Sequence, residues 1–248
     1  MPVEIFPLRG LPEIRPGDDI AGAIAQAVRA HEMRIVEDDI FVVAQKIVSK
    51  AEGRIVSLDQ VAPSERARVW AQEWNKDARV VELVLRESKR IVRMERGVII
   101  TETRQGFVCA NAGIDVSNAG EGTAILLPDD PDVSARALHV ALSKVFACHV
   151  GVIVSDTFGR AWREGLVNVA LGVAGLSDLI DYRGQTDANG KPLQATVIAV
   201  ADELAAAAEL VMGKSDRIPV AIVRGANLGS RSGSGADLIR PAEKDLFR

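Results

Sequence analysis

The chain has 248 residues, 48% hydrophobic and 26% charged, with a formal net charge of −4. This length gives one or two domains that bury enough surface to fold without staples, and the composition excludes a mainly disordered chain. Aromatic residues are only 4%, so Ala, Val, Leu and Ile must build the core. No apolar run approaches the roughly 18 residues of a membrane span. The first residues, Met-Pro-Val-Glu-Ile-Phe, lack the basic-then-apolar order of a secretion signal. Cys109 and Cys148 are isolated, which fits a reducing cytoplasm and disfavours structural zinc. The negative charge gives no general attraction for nucleic acid, so a polyanion must be held by a local basic cluster or a metal.

In chain order, two prolines and a glycine make the stretch 11–19 extended or turned. Asp18 or Asp19 caps a helix predicted over 20–32, where Ile20, Ile24, Ala27 and Val28 recur at helical spacing. The β-branched run 40–44 reads as a buried strand. Helices are predicted over 63–74 and 78–88. Three short strands follow near Ile91, Val98 and Phe107, the last two joined by an Arg104-Gln-Gly hairpin. A helix over 131–146, strands over 150–154 and 196–200, an Ala-rich helix over 202–212 stopped by Gly213, and a strand over 220–223 complete the series. Helices and strands mix without strict alternation, so the expected class is α+β. Residues 226–248, with Gly229-Ser-Arg-Ser-Gly-Ser-Gly, are expected to form a flexible tail on one unit spanning 1–248.

Three acidic sites carry candidate chemistry. Gly113-Ile-Asp115-Val-Ser-Asn118 can bind a divalent ion and a nucleotide group, or close an Asx-turn. Ser155-Asp156-Thr157, expected at the carboxyl end of a strand, offers hard oxygens suited to Mg²⁺ or Mn²⁺. Arg160 and Arg163 follow it as two guanidinium forks for phosphate or carboxylate. Asp202 and Glu209 are seven residues apart and share a helix face. On the basic side, Lys46 and Lys50 follow the 40–44 strand. Lys50 can neutralise a triphosphate, while Lys46 reads as a solvated lysine. Met212-Gly-Lys-Ser215 is no P-loop, because Ala208 stands where the upstream glycine belongs and a helix precedes it. His31, His139 and His149 show no ligand spacing.

Five blocks together carry a resemblance: Leu11-Pro-Glu-Ile14, residues 45–54, residues 110–118, Ser155 to Arg163, and residues 200–213. In this order they resemble the coenzyme F420-0:L-glutamate ligase (F420 γ-glutamyl ligase) family over about residues 8–225. The resemblance implies a two-lobed α+β fold in an intertwined homodimer; the cysteines and the first residues already lead us to expect a cytoplasmic enzyme. It implies GTP-dependent addition of L-glutamate to F420-0, a deazaflavin whose side chain ends in a lactyl-type acid. An acyl phosphate would be the intermediate, a second glutamate would join by γ-linkage, and two Mg²⁺ or Mn²⁺ ions would take part. A monovalent cation such as K⁺ is left open, and neither nucleic acid nor membrane is implied as a partner. Residue by residue, Asp115 and Asp156 match the first metal's ligands, and Thr157 and Glu209 the second's. Leu11, Pro12, Glu13, Ile14, Gln45, Lys50 and Asn118 match nucleotide contacts. Arg160 and Arg163 are read as catalytic grips, beside Asp156, on the anionic substrate or acyl phosphate. Gln45 departs from an expected small hydroxyl residue, Leu166 from a glutamine, and Gln105 from a frequent histidine. The alternatives are a non-catalytic nucleotide- or metal-binding regulator and an amide ligase for another carboxylate.

Overall fold

Ile40, Phe41, Val42 and Val43 are each at most 2% exposed, and the pleat explains why the run is apolar throughout. Phe41 and Val43 join one core cluster, Ile40 and Val42 another, on opposite faces of the strand. They belong to β2 (Asp39–Ala44), the centre of a five-stranded sheet. A computed structural model gives this arrangement and describes residues 2–116, 120, 122–226 and 231–246. The sheet order is β1 (Glu4–Leu8), β12 (Val220–Arg224), β2, β8 (Val150–Arg160) and β9 (Arg163–Ala174). Only β2 and β8 run parallel; the other three pairings are antiparallel.

Helices α1 (Ile20–Ala30), α2 (Gln45–Ala51) and α5 (Pro131–Phe146) pack on one face, while α6 (Val200–Met212) covers the other. Asp19 caps α1 through the Gly22 amide, and Asp130 caps α5 through Val133. Gly172 is required where α5 meets β9, because a Cβ there would lie 2.0 Å from the Pro131 carbonyl oxygen. A second group packs α3 (Glu65–Trp74) and α4 (Ala78–Glu87) on the sheet β4 (Ser88–Glu95), β5 (Val98–Thr103), β6 (Val108–Ala110), around Ile99, Val84 and Ala71. Two small pairs remain: β3 (Ile55–Ser57) with β7 (Thr123–Ile125), and β10 (Ile180–Asp181) with β11 (Val197–Ile198).

The mixed α+β class is therefore as expected, and the 131–146 helix has the expected bounds. Three local expectations change. The strand over 196–200 shrinks to Val197–Ile198, because Val200 already opens α6. The strand from Val150 does not stop at Ser155 but continues to Arg160, held by antiparallel pairing with β9. The 226–248 segment is fastened over much of its described part. The Asp132 carboxylate accepts from Ser234 Oγ at 2.6 Å and from the Gly235 and Ala236 amides at 2.7 and 3.2 Å. It also accepts from the Val173 amide of β9, so one buried acid ties helix, strand and chain end together. Among the described residues no helix is long and apolar enough to cross a membrane.

Candidate active site

The last residue pair of the parallel strands is Ala44 with Ser155. Beyond it β2 turns directly into α2, while β8 runs on, which opens a cleft of about 580 Å³ at the carboxyl ends of these strands. Ends of parallel strands are where open α/β sheets bind ligands, because loops and helix starts converge there. Leu11, Pro12, Glu13 and Ile14 line one wall, with Gln45, Lys46 and Lys50 of α2 beside them. Ser155, Asp156 and Thr157 line the floor, and Asn168, Glu209 and Lys214 complete it.

The expected metal ligands separate into two groups. Asp115 forms an ion pair with Lys46 and is close enough to Asp156 to raise that residue's pKa. Burial does most of this, pushing the Asp156 carboxyl up to about 6; the Thr157 amide, Lys214 and Lys46 pull it back, and Asp115 adds to the rise. In the second group, Thr157 Oγ1 donates to Asn168 Oδ1 at 2.6 Å, and Asn168 Nδ2 donates to Glu209 Oε2 at 2.9 Å. Lys214 donates to Thr157 Oγ1 and stands 3.8 Å from Glu209. Strand alternation explains the split: Asp156 and Thr157 are neighbours in β8 and leave it on opposite sides.

The donors in both groups are carboxylate and hydroxyl oxygens, the set a hard divalent ion prefers. Among the described residues no three His, Cys, Asp or Glu side chains form a metal-holding group, so ions here would complete their shells with ligand and water oxygens. Two further polar atoms are buried without a partner in this cleft: Ser155 Oγ and Gln45 Nε2. Gln45 Oε1 already accepts from Ser49, which leaves its amide donors for something the cleft receives. An unpaired buried donor costs about 1–3 kcal/mol. Both atoms could therefore serve as contacts for a bound group.

The other expected residues fall as follows. Lys50 pairs with Glu13 of the wall formed by residues 11–14. Asn118 lies outside the described residues. Asp202 is not beside Glu209 at the site; its carboxylate accepts from the Ala170 amide at 2.9 Å. Arg160 and Arg163 face each other at the end of the β8–β9 hairpin and are absent from the lining of this cleft. The Arg160 guanidinium donates to the Glu164 carbonyl at 2.5 Å. Sequence reasoning missed Asn168 and Lys214 and read Lys46 as a solvated lysine, whereas it pairs with Asp115. A lone Asn inside the run Leu166-Val-Asn-Val-Ala-Leu171 was the available signal, since a polar side chain in a buried strand needs partners.

The relatives fix the class: the chain is an enzyme of the ligase class, similar along nearly its whole length to proteins named as ligases. It belongs to the F420-0:gamma-glutamyl ligase family, whose profile matches residues 10–225. It is 47% identical to the coenzyme F420:L-glutamate ligase of Methanothermobacter thermautotrophicus, over all of both chains. Identity is 46% to the protein of that name from Methanopyrus kandleri, covering 95% of this chain and 94% of that one. It is 42% to the Archaeoglobus fulgidus protein, covering 100% and 97%.

Proposed function

We propose that this chain joins L-glutamate to coenzyme F420-0 using GTP, and then adds a second glutamate by γ-linkage. The observation that carries this reading is the pairing of two oxygen clusters, Asp115 with Asp156 and Thr157 with Glu209, beneath a wall formed by residues 11–14, Gln45 and Lys50. In the reaction a carboxylate oxygen of the acceptor attacks the γ-phosphorus of GTP. The bond from that phosphorus to the bridging oxygen breaks, and GDP leaves. The amino nitrogen of glutamate, having given up a proton, then attacks the acyl carbon, and inorganic phosphate departs with the bonding electrons.

Phosphorylation is needed because a carboxylate is a poor electrophile. The chain's part is to hold the two anions in line and to offset their repulsion. Asp115 and Asp156 would hold one Mg²⁺ or Mn²⁺, Thr157 and Glu209 the other. When bound, these ions would supply charge neutralisation at the transferring phosphoryl group. Leu11 to Ile14 would cradle the nucleotide through backbone groups, with Gln45 Nε2, Lys50 and Asn118 as side-chain contacts. Arg160 and Arg163, outside the cleft lining of their own chain, would meet the anionic substrate near a subunit interface in a two-lobed, intertwined homodimer. The test is incubation with F420-0, GTP, L-glutamate and Mg²⁺ or Mn²⁺, read by mass spectrometry. Addition of glutamyl units with GDP release supports the assignment; no addition, with acceptor and metals verified, refutes it.

A further inference from the structure

A second pocket, of about 860 Å³, lies between the β4–β6 sheet, the β8–β9 hairpin and the carboxyl-terminal segment. We infer that it seats the planar aromatic part of the acceptor, with arginines at its rim holding the acceptor's anionic side chain. This rests on the function proposed above, and it assigns a location that the two oxygen clusters do not.

The volume is within the roughly 300–1,000 Å³ usual for small-molecule sites. Its wall is apolar and aromatic. Phe107 and Phe158 meet edge to face at 6.2 Å, and Val169 and Ile239 pack beside them. A flat ring system gains most from such a surface, which offers both a face and ring edges. At the mouth stands Trp162, 80% exposed. Its φ of +59° is the left-handed conformation of a tight two-residue hairpin turn, which holds the ring out at the tip. Arg90, Arg93 and Arg240 also line the pocket. Arg90 is shared with Glu102 and Arg93 with Glu95, whereas Arg240 makes no ion pair among the described residues. Of the acids there, Asp202 accepts from the Ala170 amide and Asp245 sits at the rim.

The pocket is also on the correct side of the reacting carboxylate's expected position. Phe158 is two residues from Asp156 on β8, so both project from the same face, about 6.7 Å apart along the strand. Val169 lies directly across from Asp156. A ring resting on Phe158 and Val169 therefore has its side chain within reach of the Asp115–Asp156 cluster.

The test is equilibrium dialysis of F420-0 against the full chain, alongside turnover and sedimentation, for wild type, Trp162→Ala and Arg240→Gln. Both substitutions are at exposed positions and leave the core untouched. Each is expected to weaken F420-0 binding and raise its KM about tenfold, with KM for GTP unchanged. Unchanged F420-0 affinity in both variants overturns the pocket, as does failure of the wild type to bind F420-0. If Trp162→Ala changes the oligomeric state and leaves F420-0 affinity unchanged, the hairpin end serves the subunit interface alone and the inference is wrong. Variant-sensitive binding without glutamate addition would keep the pocket and refute the proposed reaction.

Discussion

Asn168 bridges Thr157 and Glu209: its amide nitrogen donates to Glu209 at 2.9 Å while its oxygen accepts the Thr157 hydroxyl at 2.6 Å. The side chain is 4% exposed, so both bonds are shielded from water. Asn168→Ala removes the bridge and leaves Thr157 and Glu209 to find new partners. We expect Mn²⁺ titration in the presence of GDP to fall from two bound ions to one. Melting should shift down by a few degrees, from about 1–3 kcal/mol of lost buried hydrogen bonding.

Each oxygen cluster is touched by a lysine, Asp115 by Lys46 and Thr157 by Lys214. An ammonium and a divalent ion compete for the same oxygens. Lys214→Met should therefore tighten Mn²⁺ binding in the absence of nucleotide by several-fold. The same change should raise KM for GTP, because a cation beside the phosphates has gone. Electron paramagnetic resonance of free Mn²⁺ separates the two effects, and weaker Mn²⁺ binding in the variant would count against the competition.

Asp156 titrates at about 6 instead of its ordinary 3.8, mainly because it is buried. The folded chain thus holds this proton more tightly than the unfolded chain. Stability from this group is full below pH 3.8 and is lost as pH rises toward 6. A divalent ion binds the ionised form only, so its apparent affinity should drop about tenfold per pH unit below 6. Asp156→Asn should abolish that dependence, lower turnover by orders of magnitude and raise the melting temperature of the metal-free protein at neutral pH. A variant that melts lower, or retains activity, contradicts the assignment.

Glu82 of α4 behaves in the opposite sense. It accepts from the Ser64 amide, at the start of α3, and from Arg86, each at 2.9 Å. These contacts, that to Ser64 foremost, hold its carboxyl down to about 2 from 4.5. Its contribution to stability is present above pH 4.5 and is lost as pH falls from 4.5 toward 2. Glu82→Gln should cost about 1 kcal/mol at pH 7, with the gap to wild type closing in that acid range. Thermal melts at stepped pH check this.

The sequence pattern was most legible where burial imposes a period. The run Ile40 to Val43 is a strand buried on both faces, and Pro131 with Asp130 marks the start of α5. β1 and β9 were not legible. Pro7 lies within β1, and β9 carries Gly165, Gly172 and a charged, exposed first half. Both are strands because a neighbour pairs with them, information that their own residues do not hold. For the site, motif spacing offered the oxygen-bearing residues, while their grouping came only from the family resemblance. Asp115 comes near Asp156, and Asn168 bridges Thr157 to Glu209, because β8 continues beyond β2 and turns its successive side chains to opposite faces. The same extension carries Arg160 and Arg163 away from the cleft that a short loop would have kept them beside.

The most direct measurement is the anomalous difference map of crystals soaked with Mn²⁺ and GDP. Two peaks are expected, one between Asp115 and Asp156 and one between Thr157 and Glu209, with Lys46 and Lys214 displaced from those oxygens. Manganese bound elsewhere, with both lysines still in place, would contradict the two-cation site.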